Sequence, residues 1–248
     1  MSLPFLFFAL SINPWIWRIF LFKPLLGVIL AFFSLILYKS FFTTRIKYFL
    51  LLAIIFPILL FGQWKLTPKM SLTQLSNDDR RVVDMRLREY PPVYIKLGSK
   101  VVFIPAAHWL EQRKESIALY RIGENLFEAL DINQYFFATH PRERVGVKEF
   151  EKLPYILLLP FIFGVIRLNT GKNYRYFLLL LIISFFLLAL IGSKGSLGPF
   201  ILLPFIIFPI AIGLDVIYQR VKEKRILAIF LLVIFFLILI QTISYGIS

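Results

Sequence analysis

The sequence predicts a polytopic α-helical membrane protein of about six transmembrane helices, with a small α+β extracytoplasmic domain inserted between the second and third. Three observations carry this. The 248-residue chain is 59% hydrophobic, with 28 Phe, well above the roughly 45–50% apolar content of soluble domains. Every acidic residue except Asp215 and Glu223 lies between Lys65 and Lys152. Many of the cations behind the net charge of +14 occupy short links between apolar runs, where the positive-inside rule puts them. That placement reads as a topology signal and gives no case for a nucleic-acid partner.

In chain order, apolar runs able to span a bilayer cover Trp17–Tyr38, Tyr48–Trp64, Leu153–Ile166, Phe177–Ile191, Phe200–Tyr218 and Ile226–Tyr245. They divide the chain into residues 1–64 (an interfacial segment and two spans), the charged segment 65–152, and 153–248 (four spans). Arg18 and Lys23 interrupt the first run, so Trp15 and Trp17 are expected as interfacial anchors of a lead-in. Met1–Asn13 lacks the basic start and small-residue exit of a cleavable signal peptide. Pro57, Pro160, Pro204 and Pro209 inside the runs predict kinks. Asp215 is expected to snorkel or pair with Arg220 or Lys222 at a helix end.

Orientation follows from the links. One side collects Lys39, Arg45, Lys47, Arg167, Lys172, Arg175, Arg220, Lys222, Lys224 and Arg225, the other only Lys194. The first side is therefore expected in the cytoplasm. Residues 65–152 and both termini then lie outside the cytoplasm, in a multi-pass protein of the plasma membrane. Membrane lipid is a partner by necessity.

Within the charged segment, Ser76 is a good N-cap for a helix that carries acids in its first turn and stops at Pro91-Pro92. Val93–Leu97 and Lys100–Ile104 flank Gly98-Ser99 and predict a β-hairpin. A helical stretch then runs from Pro105 to Leu130, with a break near Gly123. Asp131 to Val147 reads as irregular. Gly192–Gly198 fails the phosphate-loop pattern and reads as a tight outside turn. Cysteine is absent and only His108 and His140 are present, which rules out disulfides, thiolate chemistry and a zinc site built on histidine alone.

Two constellations could carry chemistry. The adjacent carboxylates Asp78 and Asp79 could hold a divalent metal or supply a general base; helix capping and pairing with Arg80 and Arg81 is the plainer role. His140, Arg142, Arg144 and Lys148 form a cationic cluster suited to a lipid phosphate, with Tyr135, Phe136 and Phe137 at the interface beside it. A basic loop neutralised by Glu143, Glu149 and Glu151 is the plainer role there.

From Leu126 to Leu214 the order of features resembles the later half of C-type multi-pass glycosyltransferases, of the protein-mannosyltransferase and aminoarabinose-transferase kind. The resemblance rests on Asn133-Gln134-Tyr135-Phe136-Phe137, on His140-Pro141-Arg142, on a Leu-Pro-containing span, and on Gly198-Pro199 opening another with Leu203-Pro204. It implies a polyprenyl-phosphate sugar donor, with a divalent metal as cofactor only in that case. The family has many more spans, however, and its catalytic acid sits in the first outward loop. Here the first link reads as cytoplasmic and holds no carboxylate.

Three functions follow. The first is a membrane protein whose cap binds a membrane or extracytoplasmic protein partner or supports an assembly, without catalytic signatures. The second is a polyprenyl-phosphate-dependent glycosyltransferase relative or accessory subunit. The third, a small-molecule or lipid transporter, is weakened by the near absence of charge inside the spans.

Overall fold

The computed structural model describes residues 3–68, 71–75, 77–89, 93–104, 113–137, 152–169, 171, 173–193 and 195–221, with 229, 233, 234, 236, 237 and 240. Helices α1 (Leu3–Ser11), α2 (Pro14–Phe22), α3 (Pro24–Phe42) and α4 (Ile46–Leu66) come first. The charged segment supplies α5 (Asn77–Glu89), β1 (Val93–Leu97), β2 (Lys100–Ile104), α6 (Lys114–Leu130) and the one-turn α7 (Asn133–Phe136). Then follow α8 (Leu158–Leu168), α9 (Tyr174–Ile191) and α10 (Leu203–Val221), with 3₁₀ turns leading into α8 and α10.

Among the described residues four helices are long and apolar enough to cross a membrane: α3, α4, α9, and α10 with its 3₁₀ lead. The count is five if α1 and α2, bent by 68° to each other, form one broken span. The chain is thus a membrane-embedded helical protein, and its described residues do not reach six spans. The expected third span is the 11-residue α8, and the expected sixth, Ile226–Tyr245, lies almost wholly outside the described residues. The expected first run is also cut in two at Lys23-Pro24. Proline drives the residue before it out of the helical region and suits the first helical position itself, so α2 ends and α3 begins there. Trp15, expected at the interface, is completely buried, whereas Trp17 is exposed. The cause is local: Asn13 caps α2 by accepting from the Trp15 amide at 2.9 Å, which turns the indole into the bundle.

Helix α10 is the axis of the bundle. Every residue from Leu203 to Asp215 is buried, and α1, α3 and α8 all pack on it. On the α3 side Phe33, Phe41, Phe177, Phe205 and Phe208 form a continuous set of ring contacts, 4.8–6.1 Å between centroids. On the α8 side backbone meets backbone at the crossing. A Cβ on Gly164 would overlap the carbonyl of Pro209, and a Cβ on Gly213 would overlap the carbonyl of Pro160. Both helices therefore carry Pro-x-x-x-Gly, a spacing that puts the two residues on one face, and the two faces interlock reciprocally. Pro160 and Pro204 fall in the first turns of their helices, where a missing N–H costs little, while Pro57 and Pro209 are internal. Asp215 does not snorkel: it is buried. Arg220 lies over the Phe163 ring at 6.0 Å, and Lys222, the other expected partner, lies outside the described residues.

In the charged segment the hairpin forms with Val93 opposite Ile104 and Leu97 opposite Lys100. Gly98 turns it with φ of 63°, a conformation that favours glycine. Helix α6 passes through Gly123 without the expected break. Residues 105–112, expected as its start, lie outside the described residues.

Alanine at Gly164 or at Gly213 forces backbone apart and is expected to cost about 1–3 kcal/mol. Alanine at Gly62, whose Cβ would meet nothing closer than 3.7 Å, is expected to be neutral. Thermal unfolding of the detergent-solubilised protein compares the three.

Candidate functional site

The cap meets the bundle along one face of α6. Ile117, Arg121, Asn125 and Ala129 recur every four residues and are all buried, so this amphipathic helix carries two polar side chains in its buried stripe. Asn125 Nδ2 donates to the Ala189 carbonyl at 3.1 Å, satisfying an acceptor that the end of α9 leaves open. Arg121 Nη2 donates to Asp79 Oδ2 at 2.9 Å, with the arginine side chain 9% and the carboxylate 49% exposed. This ion pair fastens α5 to α6.

Around the same end of the bundle, polar side chains close the turn between α9 and α10. Gly192 and Gly198 have positive φ, 82° and 61°, and the stretch is the tight turn expected from its glycines. Trp15 Nε1 donates to the Leu197 carbonyl at 2.8 Å. Gln63, fully enclosed, donates to the Gly198 carbonyl at 3.2 Å and accepts from the Ile201 amide at 3.1 Å. Gln134 reaches Ser193 Oγ at 3.5 Å. Next to it, the Tyr135 hydroxyl donates to the Ala129 carbonyl at 2.7 Å. Burial, reinforced by the nearby Glu128 and Asp131, pushes the Tyr135 phenol far above its ordinary range.

Of the expected site residues, Asp79 is placed, paired with Arg121, and Asp78 stands beside it in the first turn of α5. His140, Arg142, Arg144 and Lys148 lie outside the described residues. The residues that flank that cluster are joined: the Leu153 amide donates to the Tyr135 carbonyl at 2.7 Å, beneath the Trp15 ring, 6.1 Å from that of Tyr135. Two helical turns of α6 separate Arg121 from Ala129, about 12 Å. Asp79 and Tyr135 thus both bond to the same helix. Among the described residues no group of three His, Asp or Glu could hold a metal ion. Arg121 and Asn125 were the residues missed from sequence; the signal was their period-four spacing with Ile117 and Ala129.

No protein-family model, no curated protein and no solved structure matches the chain.

Asp79→Ala strands a largely buried guanidinium. The expected loss is about 1–2 kcal/mol, below the roughly 3–5 of a fully buried pair because the carboxylate is half in water. Hydrogen exchange of the α5 amides should speed up accordingly, while the α9 amides stay protected.

The raised Tyr135 phenol gives a pH signature. Its contribution is fully present below the unfolded tyrosine value of about 10 and is lost as pH rises above it, because only the unfolded chain ionises there. Thermal midpoints measured from pH 8 to 11 should fall above about 10, and less steeply in Tyr135→Phe than in the wild type.

Proposed function

We propose that this protein is a membrane-anchored docking module. Its cap lies outside the cytoplasm and takes up an extended segment of a partner protein, apolar and acidic in character, on the β-hairpin. The observation that carries this is the exposure of the hairpin. Val93, Tyr94, Ile95, Leu97, Val101, Val102 and Phe103 are each 43–66% exposed, on both faces of the ladder. An isolated two-stranded hairpin with apolar faces is marginal in water and presents unpaired strand edges. Strand addition resolves both problems, since the main chain pairs with an edge while alternate side chains cover a face. Lys96 and Lys100, both exposed near the turn, favour carboxylates on the incoming segment.

Two further observations support the orientation and the non-catalytic character. The end of the bundle opposite the cap, where Asn173 Nδ2 donates to the Thr43 carbonyl at 3.0 Å, is flanked by Lys39, Arg45, Lys47 and Arg175. The positive-inside rule assigns that end to the cytoplasm. The polyprenyl-phosphate transferase reading uses Asp78 or Asp79 as base or metal ligand, and of these the Asp79 carboxylate is already engaged by Arg121.

The test uses the full-length protein in nanodiscs and fluorescent ten-residue peptides of alternating Val and Glu, or Val and Lys. Val/Glu peptides should bind, more weakly as salt rises, and Val/Lys peptides should not. Ile95→Thr with Val102→Thr, which keeps a β-branched pair in register, should weaken binding roughly tenfold or more by removing apolar area, and circular dichroism checks that the hairpin is retained. Equal binding of both peptides, or undiminished binding to the double variant, would overturn the docking role of the hairpin.

A further inference from the structure

Between α5 and α6, beside the Asp79–Arg121 pair, lies a cavity of about 350 Å³. This is at the lower end of the roughly 300–1,000 Å³ of small-molecule sites. Its walls divide by chemistry. Arg80 and Lys114 bring two cations from opposite helices, Asp84 brings one carboxylate, and Thr73 and Gln74 add a hydroxyl and an amide from the loop before α5. The floor is aliphatic, with Val83 from α5 and Ile117 from α6.

Asp84 stands one turn beyond Arg80 on the same helix, the spacing at which acid and base usually pair. Yet neither Arg80 nor Asp84 nor Lys114 forms an ion pair with another described residue. The neighbouring Arg121 shows that α5 and α6 do pair charges where the helices touch. Around the cavity the charges stand apart, with an excess of one positive charge.

We propose that this cavity binds a small anion that also carries hydrogen-bond donors. The carboxylate or phosphate of the ligand bridges Arg80 and Lys114. Its ammonium or hydroxyl groups donate to Asp84 and Gln74 Oε1, and its carbon skeleton lies on Val83 and Ile117. Both ligand classes with this chemistry, amino acids and sugar phosphates, pair one compact anion with donors a few bonds away. Two charge-assisted contacts from separate helices make the anion the main source of affinity. The single carboxylate makes donors the source of selectivity, because a ligand without them leaves Asp84 desolvated and unpaired. The site is independent of the hairpin, and its ligand links α5 to α6 where the Asp79–Arg121 pair already holds them.

Isothermal titration of the full-length protein in nanodiscs tests this with four probes: inorganic phosphate, acetate, glutamate and glucose 6-phosphate. Either glutamate or glucose 6-phosphate should bind roughly tenfold or more tightly than both simple anions, and which of the two does so identifies the class. Arg80→Ala with Lys114→Ala should abolish that binding. Asp84→Asn should close the gap between the organic anion and the simple ones, which bind somewhat more tightly than before because the site has lost its carboxylate. All three residues are exposed, so the variants are expected to keep the wild-type thermal midpoint, and circular dichroism checks that they do. Absence of binding by every probe, equal binding of all four, or binding undiminished in the Arg80/Lys114 variant would each overturn the proposal.

Discussion

The bundle depends on one close approach. Where α8 crosses α10, each helix offers a glycine to the other's proline carbonyl, so two backbones come nearer than any pair with side chains between them could. In a membrane the usual hydrophobic gain from burying leucine is missing, because lipid is as apolar as the protein core. Packing density and weak Cα–H···O contacts are what remain. The reciprocal arrangement satisfies both demands at a single point. It also explains why α8 can be so short: a helix of 11 residues holds its place by contact quality where length is lacking. With α8 seated there, the opposite side of α10 is left for the phenylalanine set shared with α3 and α9.

The join between cap and bundle follows a different logic. Helix α9 and the turn after it present carbonyls with no helical partner, and side chains from elsewhere in the chain fill these positions: Asn125 at Ala189, Trp15 at Leu197 and Gln63 at Gly198. Each is a net gain of only about 1 kcal/mol as a hydrogen bond, but leaving such a group buried and empty costs more. The cap is seated both by Asn125, which finishes the end of α9, and by Ala129, Tyr135 and Phe136, which are buried in the same apolar core as the bundle.

Much of this was legible in the sequence. Val93 to Ile104 announces its own register, because β-branched runs of equal length around Gly-Ser leave one way to pair. The turn at Gly192 to Gly198 was legible for another reason: a short glycine-rich stretch between two apolar runs, with glycine at both positive-φ positions. Hydropathy located α3, α4, α9 and α10, but it could not separate α2 from α3, since the break there is set by proline geometry. Nor could it foresee that Trp15 turns inward, because that depends on a cap hydrogen bond and on a carbonyl 182 residues away. Arg121 and Asn125 are harder still. A buried arginine looks like a surface one in sequence until its neighbours at four-residue spacing are seen to be apolar, and its partner Asp79 is 42 residues distant. The Pro-x-x-x-Gly pair likewise gains meaning only when two copies are found face to face.

The position of α10 in the chain bears on how the protein is made. It is the element against which α1, α3 and α8 rest, yet more than 200 residues precede Leu203. The helices synthesised first therefore enter the bilayer before the surface they are shaped to contact exists. Until Pro209 has emerged, Gly164 of α8 has no carbonyl to meet, and Phe33 and Phe41 lack the rings of Phe205 and Phe208. Assembly of this bundle is a closing event, driven by the late arrival of its axis, and a nascent chain halted between α9 and α10 would hold inserted helices without a core.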